Sequence, residues 1–569
     1  MKFRNFTFLI FPIIILALYI YQFYKIDAKL DSIFDEAFLF LKLQSTKLGN
    51  IEGASQWTTI INKLFNDKIS SNILFLRYAR YFLHILSVIL FSVSSGWYLY
   101  KKGLLDTFKK IVLFLFIIFL LGYLSLGGII ISYNTLQEFF LLSSIGSYFV
   151  ATVTNLRKSI FLYVLIGFIS FFSIITILPS GLLLLSCILL LTWIKYFKEW
   201  KTVLIFTFSI VIGLFLSMLV FNFFIMDLRI LYAQIAETTQ SITKLNRGYD
   251  PFSLLISTFL YLRDFYIGIC LMSGVLMISL LFDKYTKHWL AVIVFLLSMI
   301  AICVYQKKPE MLLTNFLSFP IIILFVLIFI ESSKLNKQIV SFKVFLPLFL
   351  FFLPLISSIG TNVYLGTKMV YFILPWGVLL IELMSNDTIK VKYSKYIRLL
   401  LCFFCFIIFI QPIQSIVNDF KKSSNNENYF EKEKPISQIQ LNKEQKDYYE
   451  RVYRILKIYH YHRKDVIFST QLDLMTVVAF DAAPCGLFFQ PMDFLAEKNK
   501  KKLKRPDFIF LTAYDTKLMS DSIKLLDWGF PVEYDKYFVG TPETMNTEYL
   551  TTRTLYCLKS KKSQSLYVQ

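Results

Sequence analysis

Charge is scarce in this chain of 569 residues: Asp, Glu, Lys and Arg together make up 17%. A soluble globular chain carries roughly 25%, so an ordinary soluble protein of this length is excluded. Histidine occurs four times, at 84, 288, 460 and 462, with no spacing that would ligate a metal. His460 and His462 would share one face of a strand, where a solvated surface is the plainer reading. Cysteine is sparse as well. Cys187, Cys270, Cys303, Cys402 and Cys405 fall in apolar segments, where a thiol behaves as a small buried hydrophobe. Cys485 and Cys557 lie in the polar tail and could pair in an oxidising compartment, though nothing in their spacing requires it. Acid is scarce relative to base, 38 residues against 59, for a net charge of +21. The basic excess sits in short loops between apolar runs, the pattern of a polytopic membrane protein, which argues against a nucleic-acid partner.

What the chain has instead is apolar mass. It is 56% hydrophobic and 18% aromatic with 60 Phe, and its mean hydropathy is +0.60. Apolar runs recur between residues 6 and 413, each long enough to cross a bilayer. The first, at 8–23, follows Lys2 and Arg4 like a signal peptide, but no small-residue cleavage site comes after it. It reads as an uncleaved helix with its N-terminus inside. Further spans are expected near 73–99, 111–131, 137–153, 160–178, 181–196, 202–226, 264–282, 289–305, 311–331, 343–359, 369–385 and 398–413, about 13 in all.

Loop charge orients them. The segments 101–110, 155–159, 195–201, 283–288, 332–343 and 385–398 each carry more Lys and Arg than acid, as cytoplasmic loops do. An odd number of spans then places the C-terminal tail outside. Two long outer loops, 26–71 and 227–263, interleave apolar and charged residues in the manner of interfacial helices. Hydropathy falls after 413, through a polar linker at 414–439, into a tail at 440–569. Within the tail Asp465-Val-Ile-Phe-Ser and Pro506-Asp-Phe-Ile-Phe-Leu-Thr read as strands, and 517–528 as a helix between strands. The expected architecture is a polytopic α-helical membrane protein, residues 1–413, with a small extracytoplasmic α/β domain at 440–569. The tail has no Gly-rich phosphate loop and no nucleophile motif, so no catalysis is assigned to it.

Polar residues that could do chemistry gather on the outer side. Asp35 and Glu36 follow the first span within Asp31-Ser-Ile-Phe-Asp-Glu-Ala-Phe38. Arg77 and Arg80 stand at the outer start of the second. Tyr133 and Asn134 lie within Ser132-Tyr-Asn-Thr-Leu-Gln137, at the end of the third. Lys307 and Lys308 form a short outer turn, and Lys368 closes the small-residue loop that starts at Ser357. A carboxylate here can take the proton of an acceptor hydroxyl attacking a sugar's anomeric carbon. Cations can hold a lipid phosphate and stabilise its charge as it leaves, Arg by bidentate contacts and Lys as a point charge. A divalent ion held by carboxylates could share that role. Each residue has a plainer reading too: a solvated loop face for Asp35 and Glu36, headgroup contact for the Arg and Lys residues, a helix cap for Tyr133 and Asn134.

The Asp35-Glu36-Ala-Phe and Ser132-Tyr-Asn-Thr elements, about 13 spans and an outer C-terminal domain together resemble the GT-C glycosyltransferase superfamily. The pattern is similar to bacterial relatives of protein O-mannosyltransferases and lipid A aminoarabinose transferases. The resemblance covers the architecture of residues 1–413. It implies a polyprenyl-phosphate-linked sugar donor and a lipid, glycan or protein acceptor. It further implies transfer with inversion at the outer face of a bacterial plasma membrane, Asp35 as catalytic carboxylate and Glu36 in support. Some members use a second acid in the second outer loop; this chain offers Asn134 there and Glu138 further into the next helix. Metal ligands of the family pattern are not evident. Two other functions fit the profile: a polysaccharide or lipid transporter, whose charged groups would sit near the bilayer midplane, and a cell-envelope polymer ligase, which usually relies on outer-loop Arg and His.

Overall fold

The computed structural model describes residues 3–24, 26, 56–64, 73–126, 131–232, 342–358 and 372–385, four isolated positions between 278 and 297, and short pieces between 453 and 560. The spans expected at 264–282, 289–305, 311–331 and 398–413 lie outside the described residues, apart from those isolated positions.

The protein is a helical membrane protein. Its described helices are α1 (Phe3–Tyr24), α2 (Gln56–Leu64), α3 (Ile73–Lys101), α4 (Phe108–Ser125), α5 (Tyr133–Val153), α6 (Leu156–Thr176), α7 (Leu178–Lys195), α8 (Trp200–Phe224), α9 (Phe342–Ser358) and α10 (Pro375–Ser385). Five of them, α3 and α5 to α8, are long and apolar enough to cross a membrane. Their ends follow local chemistry. Asn155 caps α6, its side chain accepting the Lys158 N–H, which satisfies a donor the helix leaves open. Pro179 opens α7, where its missing N–H costs nothing. The turn after α3 passes through Gly103 at φ 74°, a left-handed conformation that glycine takes without a Cβ clash. The segments joining α3 to α4, α5 to α6 and α7 to α8 are short, with Lys102 and Lys198 in the first and last and Arg157 and Lys158 in the first turn of α6.

The chain divides into two compact units. The first holds α1, the greater part of α3, and α4 to α10. Water-driven burial offers little between helices in lipid, so close packing and polar bonds must hold them. At the α6–α8 crossing, a Cβ placed on Gly167 would lie 2.1 Å from the Ile210 carbonyl oxygen, and one on Gly213 2.0 Å from that of Val164. Each glycine seats the other helix's backbone. Aromatic stacks fill the wider gaps: Tyr163 on Phe206 at 4.2 Å and Tyr98 on Phe149 at 4.7 Å. The α9–α10 pair closes through Trp376, which stacks on Phe351 and donates its indole N–H to the Phe351 carbonyl at 3.0 Å.

The second unit contains α2, the first turns of α3 and the tail. The described strands of the tail are β1 (Val466–Ser469), β2 (Ala483–Pro484), β3 (Phe508–Thr512), β4 (Tyr534–Gly540) and β5 (Leu555–Ser560). They form one sheet in the order β2-β1-β3-β5-β4. β2, β1 and β3 are parallel, and β5 is antiparallel to both β3 and β4. The tail's expected helix at 517–528 lies outside the described residues.

Candidate functional site

Helix α3 carries the first group of interest. Arg77 and Arg80 stand three residues apart, so their side chains share one face, and both are buried, at 5% and 6% exposure. His84 lies four residues beyond Arg80 on that same helical face. Tyr133 and Asn134 are half-buried and form the first turn of α5. Asp35, Glu36, Lys307, Lys308 and Lys368 lie outside the described residues.

Sequence reasoning passed over the ionisable pair that the fold buries most deeply. His84 is wholly buried and Glu138 is 2% exposed. The His84 Nδ1 is 3.0 Å from Glu138 Oε1 and 3.1 Å from Oε2. On the other side of the ring, Nε2 is 2.9 Å from the Gly122 carbonyl oxygen. That oxygen can only accept, so Nε2 carries a hydrogen and donates it. Through these contacts α3, α4 and α5 are tied at one point. The Gly122 carbonyl takes a second hydrogen bond from Ser125 Oγ at 2.9 Å.

Tyrosines from α1, α3 and α4 extend this polar patch. Tyr19 donates its hydroxyl to the Phe119 carbonyl at 3.1 Å, and Tyr81 donates to the Tyr19 carbonyl. Gln22 donates to the Tyr123 hydroxyl at 2.9 Å. Next to Glu138, Gln137 is buried among α6 and α7: it donates to Ser180 Oγ at 3.0 Å and accepts from Ser173 Oγ at 3.1 Å. At the far end of the bundle Lys102 pairs with Glu382 at 2.9 Å, and Tyr98 donates to the same carboxylate at 3.1 Å. Among the described residues no three His, Cys, Asp or Glu side chains converge to hold a metal.

A signal for the His84–Glu138 pair was present in the sequence. An ionisable residue inside an apolar span calls for a partner in another span, and each of these residues lies within or beside such a run. No model of a protein family matches the chain, and no curated protein or solved structure matches it.

Proposed function

We propose that the chain is a membrane glycosyltransferase that moves a sugar from a polyprenyl-phosphate donor to an acceptor hydroxyl on the outer face of the membrane. The observation that supports it most is the burial of Arg77 and Arg80 one turn apart on α3. Two guanidinium groups at one end of a membrane-spanning helix are costly to bury, and their planar forks match phosphate oxygens. Asp35 and Glu36 fall in the segment joining α1 to α3, which enters α3 at its arginine-bearing end. In this reading Asp35 takes the proton from the acceptor hydroxyl, whose oxygen bonds to the anomeric carbon. The bond from that carbon to the lipid phosphate breaks, and the phosphate leaves with the electron pair, held by Arg77 and Arg80. Glu36 supports Asp35. Tyr133 and Asn134 face the donor, and Lys307, Lys308 and Lys368 add positive charge. The full architecture belongs to the same proposal: about 13 spans, a cytoplasmic N-terminus and an outer C-terminal α/β domain, in a bacterial plasma membrane. GT-C glycosyltransferases are the family to which it assigns the chain.

The test is Asp35→Asn in purified, folded protein supplied with a lipid-linked sugar. Loss of the base should slow donor consumption about 10²–10⁴-fold. Consumption at the wild-type rate sinks the catalytic assignment. One observation favours a transporter instead: the buried His84–Glu138 pair within the spans, a type of group that often marks an ion path. A transporter in proteoliposomes would move its lipid or glycan intact, and Asp35→Asn would leave no chemical step to lose.

A further inference from the structure

Helices α5, α6 and α7 share a seam of polar side chains that runs most of their length. At one end Gln137 binds Ser180 and Ser173. Toward the other, Tyr163 OH and Thr192 Oγ1 are 3.2 Å apart. Beyond them Ser159 donates to the Ala151 carbonyl at 2.8 Å, and Lys195 donates to that of Thr152. On α5, residues 137, 144 and 148 recur at helical spacing on one face. On α6, residues 159, 163 and 170 do the same. The Gln137–Ser173 bond and the edge-to-face contact of Tyr148 with Tyr163 at 6.4 Å show that the two faces meet.

The middle of this seam is anomalous. Ser144, Ser170 and Tyr148 are completely buried, yet among the described residues their hydroxyls have no protein hydrogen-bond partner of normal geometry. Tyr148 stands beside Thr192 without closing a bond of normal geometry. Buried hydroxyls are nearly always bonded, to protein or to water. Serines on α3, α7 and α8 satisfy themselves locally: Ser87, Ser92, Ser94, Ser95, Ser186 and Ser209 each donate to the carbonyl four residues back. Ser144 and Ser170 do not.

Their levels along the seam hold them apart from one another. Ser170 lies about one turn, and Ser144 about two turns, below the Gln137–Ser173 level, so the two hydroxyls differ in level by about 6 Å. Two hydroxyls cannot bond across that distance, but one water between them spans about 5.6 Å with two ordinary O–H···O bonds. A buried water needs two to four polar partners, and the seam supplies them.

We propose that ordered water occupies the α5–α6–α7 seam, bridging Ser144, Ser170 and Tyr148 and joining the Gln137 cluster to the Tyr163–Thr192 pair in one hydrogen-bonded file. The ligand is water itself, held by hydroxyls. The file would exist whichever function the outer residues serve.

Radiolytic hydroxyl-radical labelling of the full-length protein in lipid nanodiscs, read by mass spectrometry, tests this directly. Radicals formed from bound water mark adjacent side chains even where bulk solvent cannot reach. Tyr148 should therefore label several-fold faster than its neighbour Phe149, which is equally buried and packs against Phe91 and Tyr98. Both rings react readily with the radical, so the ratio reports water. Labelling of Tyr148 no faster than Phe149 in the wild-type protein overturns the proposal. A second readout has a predicted sign. Watered hydroxyls lose bonds in the Ser144→Ala/Ser170→Ala double variant, which should lower Tm and reduce Tyr148 labelling. A dry seam would be relieved of two unsatisfied groups, and a higher Tm in that variant would count against bound water.

Discussion

Replacing the members of the His84–Glu138 pair one at a time should give strongly unequal losses, because each replacement strands different atoms. In His84→Leu the Glu138 carboxyl keeps its place but loses its donor at 3.0 Å. The Gly122 carbonyl is less exposed to loss, since Ser125 still donates to it. An acid left unpaired in the interior is the expensive case, about 3–5 kcal/mol. In Glu138→Leu the ring can stay neutral and keep its Nε2–H bond to Gly122. Only the Nδ1 lone pair is then stranded, a cost of about 1–3 kcal/mol. Glu138→Gln should be milder still, because the amide donates to that lone pair while Nε2–H continues to serve Gly122. The double variant His84→Leu/Glu138→Leu removes both polar groups from a buried site. Its loss should fall well below the sum of the single losses, with a coupling of about 2 kcal/mol or more, since removing both partners can be nearly neutral. Thermal unfolding of the four purified variants in one detergent measures the order. Additive single losses, or His84→Leu no worse than Glu138→Gln, would show that the pair does not carry the interaction assigned to it.

Other substitutions test separate parts of the structure. Gly213→Ala places a methyl against the Val164 carbonyl, 2.0 Å from its oxygen. It should force α6 and α8 apart at a cost of about 1–3 kcal/mol, read as a fall in Tm; an unchanged Tm would mean that the helices do not cross there. Gln137→Leu leaves the hydroxyls of Ser173 and Ser180 without their shared partner and should destabilise by about 1–3 kcal/mol, whereas Gln137→Leu/Ser173→Ala should recover part of the loss. Glu382→Gln removes the charge facing Lys102, a half-exposed pair, and should cost about 1 kcal/mol or less. Arg77→Lys keeps the charge but loses the guanidinium fork; under the proposed glycosyl transfer it should weaken donor binding about tenfold, the loss of one charge-assisted contact, seen as a raised KM. An unaltered KM would remove Arg77 from the phosphate site.

The helices were legible where apolar runs alternate with basic loops. The expected spans at 73–99, 160–178, 181–196 and 202–226 lie within a few residues of α3, α6, α7 and α8. The strand readings at Asp465-Val-Ile-Phe-Ser and Pro506-Asp-Phe-Ile-Phe-Leu-Thr fall on β1 and β3, two β-branched and aromatic runs set in polar sequence. Boundaries failed where polarity misled. The span expected at 137–153 begins four residues earlier, at Tyr133, because hydropathy assigns a polar turn to solvent. Gln137 and Glu138, at the start of the expected span, are buried by partners on α3, α6 and α7, and those partners stand 36 to 54 residues away along the chain. A scan of local composition cannot see a donor at that separation. His84 was obscured in the same way: counted among four scattered histidines, it forms no motif with its sequence neighbours.

Helices in lipid cannot choose their register by hiding from water, because every face is already apolar. Something else must distinguish one sliding position from the next, and each tight interface here contains such a device. Gly167 and Gly213 let α6 and α8 approach only where both glycines lie at the crossing. Gln137 has its donor and its acceptor filled only when Ser180 of α7 and Ser173 of α6 stand level with it. His84 has both ring nitrogens bonded only when Gly122 of α4 and Glu138 of α5 flank it. A slip of one residue on any of these helices rotates the polar group by about 100° and leaves it facing hydrocarbon, at a cost larger than any gain in packing. The buried polar groups therefore fix how α3 to α8 align within the first unit. A variant that unlocks the register should accordingly disturb the packing of that whole bundle, read as a fall in Tm.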